Sequence, residues 1–412
     1  MRYFGLILFS GVFSLQTLPA QSGCTDPQAV NYDPGATNND GSCVYPVAQY
    51  ALTVKTELPA PFDETSGIVI ARGAAWTHND SGSDPKIYKL DTLTGAIIQT
   101  ITVGGAANVD WEDIASDGDH LYIGDFGNNA NGNRTDLKIY KIPLSAVPAG
   151  DEVTVPSAAV AVINFSYADQ SDFTPQGPNN TRFDCEALFW QNDTLHLFTK
   201  NWVDYQTTHY AIPAAAGTYV AAKRETFLVN GLITAADISN WGVVTLLGYH
   251  PSGGVAFLWL VSDYPGSNFF SGNNRRIELG SLLLNGQVEG ICFRDDASGY
   301  ITNERVSVLI PPRMYRFQVS QWLQDQFLPA AEPSFDERKP CAVRPNPLPA
   351  GQPINLPELT GNTLVRLSDA GGRLVWQGSG LEWKPLRLPV GTYWLSMQSG
   401  PGDTCAARIV IR

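Results

Sequence analysis

The chain has 412 residues, and its 43% hydrophobic and 16% charged composition is that of a globular protein with a core, not of a disordered chain. A formal net charge of −13 argues against nucleic acid as a partner, because affinity for a phosphate backbone depends on clustered Lys and Arg. The 38 glycines, 28 prolines and 11% aromatic residues, with few helix-forming runs, predict an all-β fold of short strands and turns.

Residues 1–22 have the pattern of a secretory signal peptide. Arg2 precedes an apolar run over residues 3–15, and the small residues Ala20 and Ser22 follow it. Residues 22–24 also match part of a lipoprotein cleavage site, but Gln21 stands where an aliphatic residue is expected. No other stretch is long and apolar enough for a membrane span. We therefore expect a monomeric protein, secreted or held at the outer cell surface, whose mature chain begins near Gly23.

The six cysteines of an exported chain are better interpreted as disulfides than as thiol ligands. Their positions suggest three pairs, listed as Cys24 with Cys43, Cys341 with Cys405, and Cys185 with Cys292.

Residues 23–46 are dense in Asp, Asn, Gly and Pro and are predicted to form a small surface module closed by a disulfide. Calcium takes several hard oxygen ligands, and the segment offers Asp26, Asn31, Asp33, Asn38, Asn39 and Asp40. The alternative is that these residues only form turns. The segment resembles the short GCTDP…NYDP…DDGSC modules of exported Bacteroidetes proteins, which points to a source and not to a function.

Residues 47–325 contain five groups of alternating apolar segments separated by turn signals. The fifth group lacks a fourth strand, and the unassigned segment 49–57 upstream of the first group can supply it. Joining both ends of a repeat array in one group removes the open sheet edges, as in a closed β-propeller. We therefore predict five blades, with six as the alternative if residues 128–178 contain a further sheet; their Asn, Gly, Pro and Ser content favours loops.

Residues 326–340 read as a linker, and the short strands predicted over 341–412 suit a small β-sandwich. This tail resembles the type A C-terminal sorting domain of the type IX secretion system. The resemblance depends on Pro-Asn-Pro at 345–347, Asp-Ala-Gly-Gly-Arg at 369–373, Gly-Thr-Tyr at 391–393 and a terminal apolar strand. It implies that the type IX machinery is a partner, that the chain crosses the outer membrane, and that the tail is removed at the cell surface.

The sequence Asp-Trp-Glu-Asp-Ile-Ala at 110–115 returns in outline at 65–69, 185–189, 235–239 and 288–292, near the start of each group. In a propeller the starts of the innermost strands and the ends of the second strands share one face. Alignment of the repeats places on that face Ser66, Glu112, Glu186, Ala236 and Glu289, and beside them Asp110, Asp113, Asp184 and Asp237. The second-strand ends add Asn79, Asp125, Lys200, Tyr249 and Asn303, followed by Asp80, Phe126, Asn201, His250 and Glu304.

Carboxylates that converge on one opening repel each other unless protons, a lysine or a cation offset their charge. Asp, Glu and Asn oxygens without paired His or Cys suit Ca²⁺, or Mg²⁺, better than zinc. The predicted ligands are Asn79, Glu112, Asp113, Asp125, Asp184, Glu186, Asp237, Glu289 and Asn303. The alternatives are acids that bind backbone amides in turns, or acids paired with basic residues.

The propeller region resembles the esterase-like or phytase-like propellers and, more distantly, the gluconolactonase and paraoxonase type. The matching stretches are His-Asn-Asp-Ser at 78–81, residues 110–115, Tyr-Ile-Gly-Asp-Phe-Gly-Asn-Asn at 122–129, Asp-Cys-Glu-Ala at 184–187, Thr199-Lys200 and Glu-Gly-Ile at 289–291. The resemblance implies a calcium-dependent hydrolase of phosphate or ester bonds. Basic residues for a polyphosphate are sparse, with Lys200 and Arg134 the candidates, which argues against phytate.

In such a hydrolase a cation would polarise the substrate oxygen and lower the pKa of a bound water. His78 or Glu304 could act as general base, and Lys200 could stabilise developing negative charge. The alternative function is a non-catalytic propeller that binds a protein or glycan at the cell surface. A carbohydrate platform could use Trp76, Trp190, Trp202, Trp241 and Trp259, although most of these are expected to pack between blades.

Overall fold

The computed structural model describes residues 21–307, 309–323, 339–340, 348–349, 352–354, 356, 364–369, 374–379, 386–400 and 403–412. The chain divides into two compact units, with the boundary between residues 328 and 329. Within the described residues, no helix is long and apolar enough to cross a membrane.

The first unit is a five-bladed β-propeller, so the predicted fold class is confirmed. Each blade has four antiparallel strands, and the five innermost strands contact each other in a closed ring. From the innermost strand outward, blades 1 to 5 are formed by Thr65–Ala71, Ala74–Asn79, Lys86–Leu90 and Ile97–Val103; Trp111–Ser116, His120–Asp125, Lys138–Pro143 and Ala161–Tyr167; Cys185–Gln191, Thr194–Thr199, Thr207–Pro213 and Gly217–Phe227; Leu232–Ile238, Val244–His250, Val255–Ser262 and Asn273–Ser281; Val288–Phe293, Ser298–Asn303, Arg313–Gln318 and Thr53–Glu57.

Blade 5 is closed by a strand from the other end of the array, as the sequence predicts. Thr53–Glu57 pairs antiparallel with Arg313–Gln318. The predicted closing segment is divided, however, because Ala48–Gln49 pairs in parallel with the outer strand of blade 4. The edge of Arg313–Gln318 is therefore paired, and Thr53–Glu57 is the outermost strand of blade 5.

The long connection at 128–178 adds no sixth blade. Its strand Glu152–Val155 extends blade 1 by pairing in parallel with Ile97–Val103. The outer strand of blade 2, Ala161–Tyr167, pairs in parallel with Gly217–Phe227 of blade 3. The remaining short elements of the first unit are the strands Ser22–Gly23 and Asn38–Asn39, the 3₁₀ turns Phe62–Glu64, Leu144–Ala146, Ser157–Ala159, Phe269–Ser271 and Ser320–Trp322, and the helix Leu282–Asn285.

The core is a set of apolar clusters, one between each pair of neighbouring blades. Successive side chains of a strand point to opposite faces, so each strand contributes to two clusters. In blade 3, for example, Leu188 packs against blade 2, whereas Phe189 packs against blade 4. The near-continuous apolar runs of the strands are explained by this burial on both faces.

This two-faced packing corrects one predicted disulfide. Cys24 and Cys43 are bonded as predicted. Cys185 and Cys292 are both free and buried, so their predicted pairing is wrong. The reason is that Cys185 faces the cluster between blades 2 and 3, whereas Cys292 faces the cluster between blades 5 and 1. The pairing of Cys341 with Cys405 stays a prediction, since residue 341 lies outside the described residues.

The free cysteines predict a defined labelling pattern. Alkylation of the folded protein should spare Cys185 and Cys292, because burial hides both thiols and raises the pKa of each. Alkylation after unfolding without reductant should label both of them and leave Cys24 and Cys43 unlabelled until reduction. Peptide mass spectrometry measures this pattern. A cross-linked peptide that joins Cys185 to Cys292 would contradict the structure.

The module at 23–46 packs on blade 4. Arg275 lies 4.0 Å from the ring centre of Tyr45 and 3.7 Å from Asp26. Acidic oxygens of the module bind backbone N–H groups two residues ahead, as Asp33 does with Gly35 at 2.8 Å. Asp40 accepts from the N–H of Ser42 at 3.0 Å in the same way. These contacts support the turn-forming interpretation of the segment over the calcium interpretation.

The second unit is a small β-sandwich, as predicted. One sheet has the strand order Lys339–Pro340, Asp403–Ile411, Gly391–Gly400, Leu364–Asp369 and Leu374–Ser379, and Pro353–Ile354 pairs with Leu386–Arg387 in the other. Ile354 of the small sheet and Val365 of the large one belong to the same apolar cluster. The motif at 345–347 and the predicted linker, apart from 339–340, lie outside the described residues.

Candidate metal and catalytic site

A β-bulge at the start of each innermost strand shapes the central opening. In blade 3, Cys185 pairs with Thr199 and Ala187 pairs with Phe198. Glu186, which lies between Cys185 and Ala187, therefore has no pairing partner on the second strand. A bulge re-aims the side chain of the extra residue. The corresponding residues of blades 1 to 5 are Ser66, Glu112, Glu186, Thr234 and Glu289.

The bulge of blade 4 corrects the repeat alignment. Ile233 pairs with Gly248 and Ala235 pairs with Leu247, so Thr234 and not Ala236 is the equivalent of Glu186. Thr234 donates its hydroxyl to the carbonyl of Val288 in the next blade at 2.8 Å. Ser66 donates in the same way to a carbonyl of blade 2. The two non-acidic members of the set therefore link neighbouring blades. The three glutamates are the members that could bind a cation or a substrate.

These glutamates lie in a funnel that contains one buried lysine. Lys200 Nζ is 3.2 Å from Glu186 Oε2, and both side chains are buried. The ammonium group also lies over the rings of Trp202, at 5.2 Å, and Tyr249, at 5.6 Å. Aromatic faces and a carboxylate on different sides hold the ammonium group in place. Opposite charges nearby keep the pKa of Lys200 well above its usual value against the effect of burial, so the lysine is charged.

Three carboxylates meet on one side of the funnel. One oxygen each from Asp80, Asp110 and Glu112 lies within 4.8 Å of the other two. Gly127 makes this approach possible, because a Cβ there would lie 2.5 Å from Asp110 Oδ2 and closer still to Glu112 Oε1. Three converging hard oxygen ligands suit a divalent cation such as Ca²⁺ or Mg²⁺.

The funnel acids do not ionise like exposed ones. Burial, with repulsion from neighbouring carboxylates, raises the pKa of Asp110 to about 7 and that of Glu304 to about 9. Burial also raises the pKa of Glu112 well above its usual value, with repulsion from Glu186 the next largest cause. Glu186 Oε1 is buried and has no hydrogen-bond partner in the described part of the chain. Such a group requires either protons or a cation.

Asp184 and Gln287 fix other side chains of the funnel by hydrogen bonds. Asp184 accepts hydrogen bonds from the backbone N–H of Asn128 at 2.5 Å and from the indole N–H of Trp202 at 2.7 Å, which fixes the ring beside Lys200. Gln287 donates to Glu289 Oε1 at 2.5 Å and to Glu304 Oε2 at 3.1 Å. One amide thus holds two acids of blade 5 side by side, and burial raises the pKa of Glu289 to about 7.

Two predicted ligands lie deeper in the channel and bind backbone. Asp113 Oδ2 accepts from the N–H groups of Leu188, at 2.9 Å, and Ala236, at 3.3 Å, so it links the innermost strands of blades 2, 3 and 4. Asp237 accepts from the N–H of Phe293 at 2.6 Å and links blade 4 to blade 5. These carboxylates are occupied by the fold, as the turn-and-amide alternative expects.

Asp125 lies beside the cation cluster and is paired with Arg134. Its Oδ1 accepts from Arg134 Nη2 at 2.9 Å and from the backbone N–H of Asp110 at 3.1 Å. Arg134 also binds Asp136 at 3.0 Å. The salt bridge therefore engages both predicted funnel residues, the acid and the arginine, and Asp125 is not part of the three-carboxylate group among the described residues.

His78, Asn79 and Asn303 also turn away from the funnel. His78 is buried edge-on against the ring of Trp111, with ring centres 5.7 Å apart, and burial lowers its pKa to about 4. Asn79 donates to the carbonyl of Pro61 at 2.9 Å, and Asn303 donates to that of Pro311 at 3.2 Å. None of the three touches the carboxylate cluster through a hydrogen bond in the described residues.

In blades 1 and 5 the funnel position is one residue later than the predicted second-strand end, whereas in blade 3 Lys200 is the predicted residue itself. Because strand side chains alternate, the residue after Asn79 or Asn303 faces the opening where the asparagine does not. That position is filled by Asp80, Lys200 and Glu304, and the sequence interpretation named the lysine and the last acid but gave Asp80 no role. The alternation of side chains along a strand is the sequence signal that could have placed Asp80 at the opening.

Comparisons with known proteins add little beyond these observations. No family model matches the chain. A stretch of 28 residues is 68% identical to the ribulose bisphosphate carboxylase/oxygenase activase 1 of Larrea tridentata, and a stretch of 29 residues is 62% identical to the activase of Spinacia oleracea. Each stretch covers 7% of this chain and 6% of the activase, so this chain spans only a small part of those relatives.

The solved structures with similarity include a putative gluconolactonase, with 11% identity, 63% of this chain and 76% of that chain covered, and a TM-score of 0.35. The calcium-binding protein regucalcin from Agrobacterium tumefaciens has 11% identity, 67% and 96% coverage and a TM-score of 0.36. A gluconolactonase from Xanthomonas campestris has 10% identity, 66% and 96% coverage and a TM-score of 0.33. At these values the similarities assign no role to any residue of this chain.

Proposed function

We propose that this protein is a divalent-cation-dependent hydrolase that acts on an ester or lactone in the funnel of its propeller. The observation that carries the proposal is the convergence of Asp80, Asp110 and Glu112, with one oxygen each within 4.8 Å of the others. Glu186 Oε1 is buried without a hydrogen-bond partner among the described residues, so this oxygen is open to a further ligand although Lys200 binds the other oxygen of the same carboxylate. Calcium fits this oxygen set best, and magnesium is the second choice.

The charge of the funnel favours a neutral substrate. Its only buried cation among the described residues is Lys200, and the acids around it are Asp80, Asp110, Glu112, Asp184, Glu186, Glu289 and Glu304. A phosphate ester carries further negative charge, and Arg134, which could have offset it, is bound to Asp125. Repulsion at this range therefore disfavours a phosphoester relative to a carboxylic ester or lactone.

The residues of the funnel can be given distinct tasks. A bound cation would polarise the substrate carbonyl and lower the pKa of a water. Lys200 is fixed where it can donate to an oxyanion as negative charge develops. Glu304, half-buried at the rim and held by Gln287, has a pKa of about 9 and could accept a proton from water once a bound cation favoured its ionised form. We do not assign this task to His78, which is buried against Trp111.

We also propose that the protein works outside the cytoplasm, secreted or at the cell surface, after export through the type IX machinery. The signal-peptide pattern of residues 1–22 and the sorting-domain resemblance of the tail support this. The disulfide between Cys24 and Cys43 suits an oxidising compartment.

Calorimetric titration of the full mature chain with Ca²⁺ and with Mg²⁺ tests the proposal, together with hydrolysis of phenyl acetate and of five- and six-membered lactones. We expect calcium binding in the wild type and at least a roughly 10-fold weaker affinity in Glu112→Gln, because a ligand charge is lost. Hydrolysis should fall in parallel. Glu152→Gln, which changes an exposed acid on blade 1, is the matched control and should bind as the wild type does.

The outcomes separate the two functions expected from the sequence. Absence of calcium binding in the wild type would overturn the metal site. Calcium binding without turnover of any ester or lactone would instead favour a propeller that binds a protein or glycan and breaks no bond.

A further inference from the structure

A second cavity opens at the other mouth of the propeller channel. Its volume is about 690 Å³, within the range of sites for small organic ligands. The innermost strands start at the cation funnel and end at this cavity, so the two sites lie on opposite faces of the ring. Every blade contributes to its wall, for example through Ile70, Ser116, Gln191, Ile238 and Phe293.

The wall combines two indole rings with amide side chains. Trp190 and Trp241 both line the cavity and are half-exposed. Gln191, Asn192 and Asn240 line it beside them, and the last two are exposed. An indole ring offers a flat apolar face, and amides both donate and accept hydrogen bonds. A pyranose ring presents the complementary surfaces, a C–H face and a rim of hydroxyls.

One polar group of this wall is unsatisfied. The indole N–H of Trp190 is buried without a hydrogen-bond partner among the described residues. Leaving a buried donor unpaired costs about 1–3 kcal/mol, so native structures seldom keep one without a reason. Trp190 packs against the apolar cluster between blades 2 and 3 and also lines the cavity near the end of its strand.

The acids of the wall are already engaged. Asp117 accepts from Tyr122 at 2.9 Å, Asp237 from the N–H of Phe293 at 2.6 Å, and Asp295 from Arg294 at 2.7 Å. A cation site would need these oxygens free. The cavity wall contains three carboxyl groups and one guanidinium group, so an anionic ligand is disfavoured as well. What remains favourable is a neutral ligand with many hydroxyl groups.

We propose that this second mouth is a binding site for a neutral oligosaccharide, in which Trp190 and Trp241 pack against sugar rings and Gln191 and Asn240 bind hydroxyls. The site is separate from the cation funnel, and its occupancy does not depend on hydrolysis there. For an exported protein, such a site would hold the propeller on a polysaccharide while the funnel faces solution.

Calorimetric titration and intrinsic tryptophan fluorescence of the full mature chain, in EDTA, test this proposal. The probes are cellotriose, maltotriose and N,N′,N″-triacetylchitotriose, with trigalacturonate as the anionic counterpart. We expect at least one neutral trisaccharide to bind and to change the tryptophan emission, and trigalacturonate to bind at least 10-fold more weakly. Binding in EDTA keeps the result independent of the cation site, so failure of one proposal does not imply failure of the other.

Variants locate the binding. Trp190→Ala should weaken the affinity for the trisaccharide at least 10-fold. The double change Gln191→Ala with Asn240→Ala should weaken this affinity several-fold and leave the unfolding temperature unchanged. The double change keeps the test valid if Trp190→Ala does not fold. Trp202→Phe alters the tryptophan of the cation funnel and should leave sugar affinity unchanged. Failure of all three neutral probes at millimolar concentration would overturn the proposal, as would a loss caused by Trp202→Phe and not by the cavity variants.

Discussion

In EDTA, the unfolding temperature of the propeller is expected to fall as the pH rises from 6.5 to 9, and calcium is expected to abolish this fall. Burial raises the pKa of Glu289 to about 7 and of Glu304 to about 9, against an ordinary value of 4.5 in the unfolded chain. Between these values the folded state holds more protons than the unfolded state. The free energy of unfolding therefore drops with pH, by up to about 1.4 kcal/mol per pH unit for each group.

The pH window is chosen so that histidines do not interfere. His196 and His209 form a buried pair, with His196 Nδ1 2.8 Å from His209 Nε2. Burial lowers the pKa of both, that of His196 to about 3. These groups destabilise the fold only as the pH falls below the ordinary histidine value of 6.5, because the unfolded chain then binds protons that the folded chain does not. From about pH 7.5 upward the pair is almost fully neutral in both states, so the slope above that pH comes from other groups.

Thermal unfolding followed by circular dichroism, at several pH values in EDTA and in millimolar calcium, measures the effect. Glu289→Gln and Glu304→Gln should each flatten the slope in EDTA, since an amide does not ionise, whereas Glu152→Gln should preserve it. Calcium should stabilise the wild type most at high pH, where the carboxylates are ionised and need a counter-charge. An unfolding temperature that does not change with pH in EDTA would contradict the buried acidic funnel.

The blades could be predicted because their strands obey two local rules. Strands that are buried on both faces are continuous apolar runs, and turn residues separate them, so Ala74–Asn79 and Lys86–Leu90 are visible in the sequence. The closing strand Thr53–Glu57 was predictable for a different reason. Once four groups have four strands and the fifth has three, closure of the ring requires one more.

The site was harder to predict because a β-bulge changes which side chain faces the opening. A one-residue shift moves a side chain to the other face of the strand, and no composition rule marks where it occurs. The structural equivalent of Glu186 in blade 4 is therefore Thr234, although the local sequence suggested Ala236. Asp113 differs in another way, because its partners Leu188 and Ala236 come from two other blades. Sequence spacing within one strand carries no information about such contacts.

Replacing Lys200 is expected to have the largest effect on both chemistry and stability. In Lys200→Met the carboxylate of Glu186, 3.2 Å from Nζ in the native site, loses its charged partner. Removing one member of a buried ion pair costs about 3–5 kcal/mol when the other remains charged. Burial already raises the pKa of Glu186 well above its usual value, so the acid can take up a proton instead. We therefore expect strong destabilisation at pH 8 and a much smaller one at pH 5.

The double variant Lys200→Met with Glu186→Gln shows whether the destabilisation comes from the unpaired charge of Glu186 or from the loss of the lysine side chain. It should recover stability at pH 8 relative to Lys200→Met, because no uncompensated charge remains in the pair. Lys89→Met is the matched control, since Lys89 also lies over an aromatic ring, 5.6 Å from the ring centre of Trp76, but on blade 1. Urea unfolding at both pH values measures these differences. Equal destabilisation of Lys200→Met at pH 5 and pH 8 would show that packing, and not charge, is what the lysine supplies.

The same variant distinguishes a catalytic lysine from a structural one. If Lys200 donates to an oxyanion, its contribution appears in the transition state, and Lys200→Met should lower kcat about 100-fold or more while KM changes little. If it serves only to neutralise Glu186, the double variant should recover turnover along with stability, because the neutral pair restores the packing of the funnel. Stability that returns without turnover assigns the lysine to the reaction. The distinction is available because Lys200 touches both the acid and the aromatic rings of Trp202 and Tyr249, which hold the funnel's shape without it.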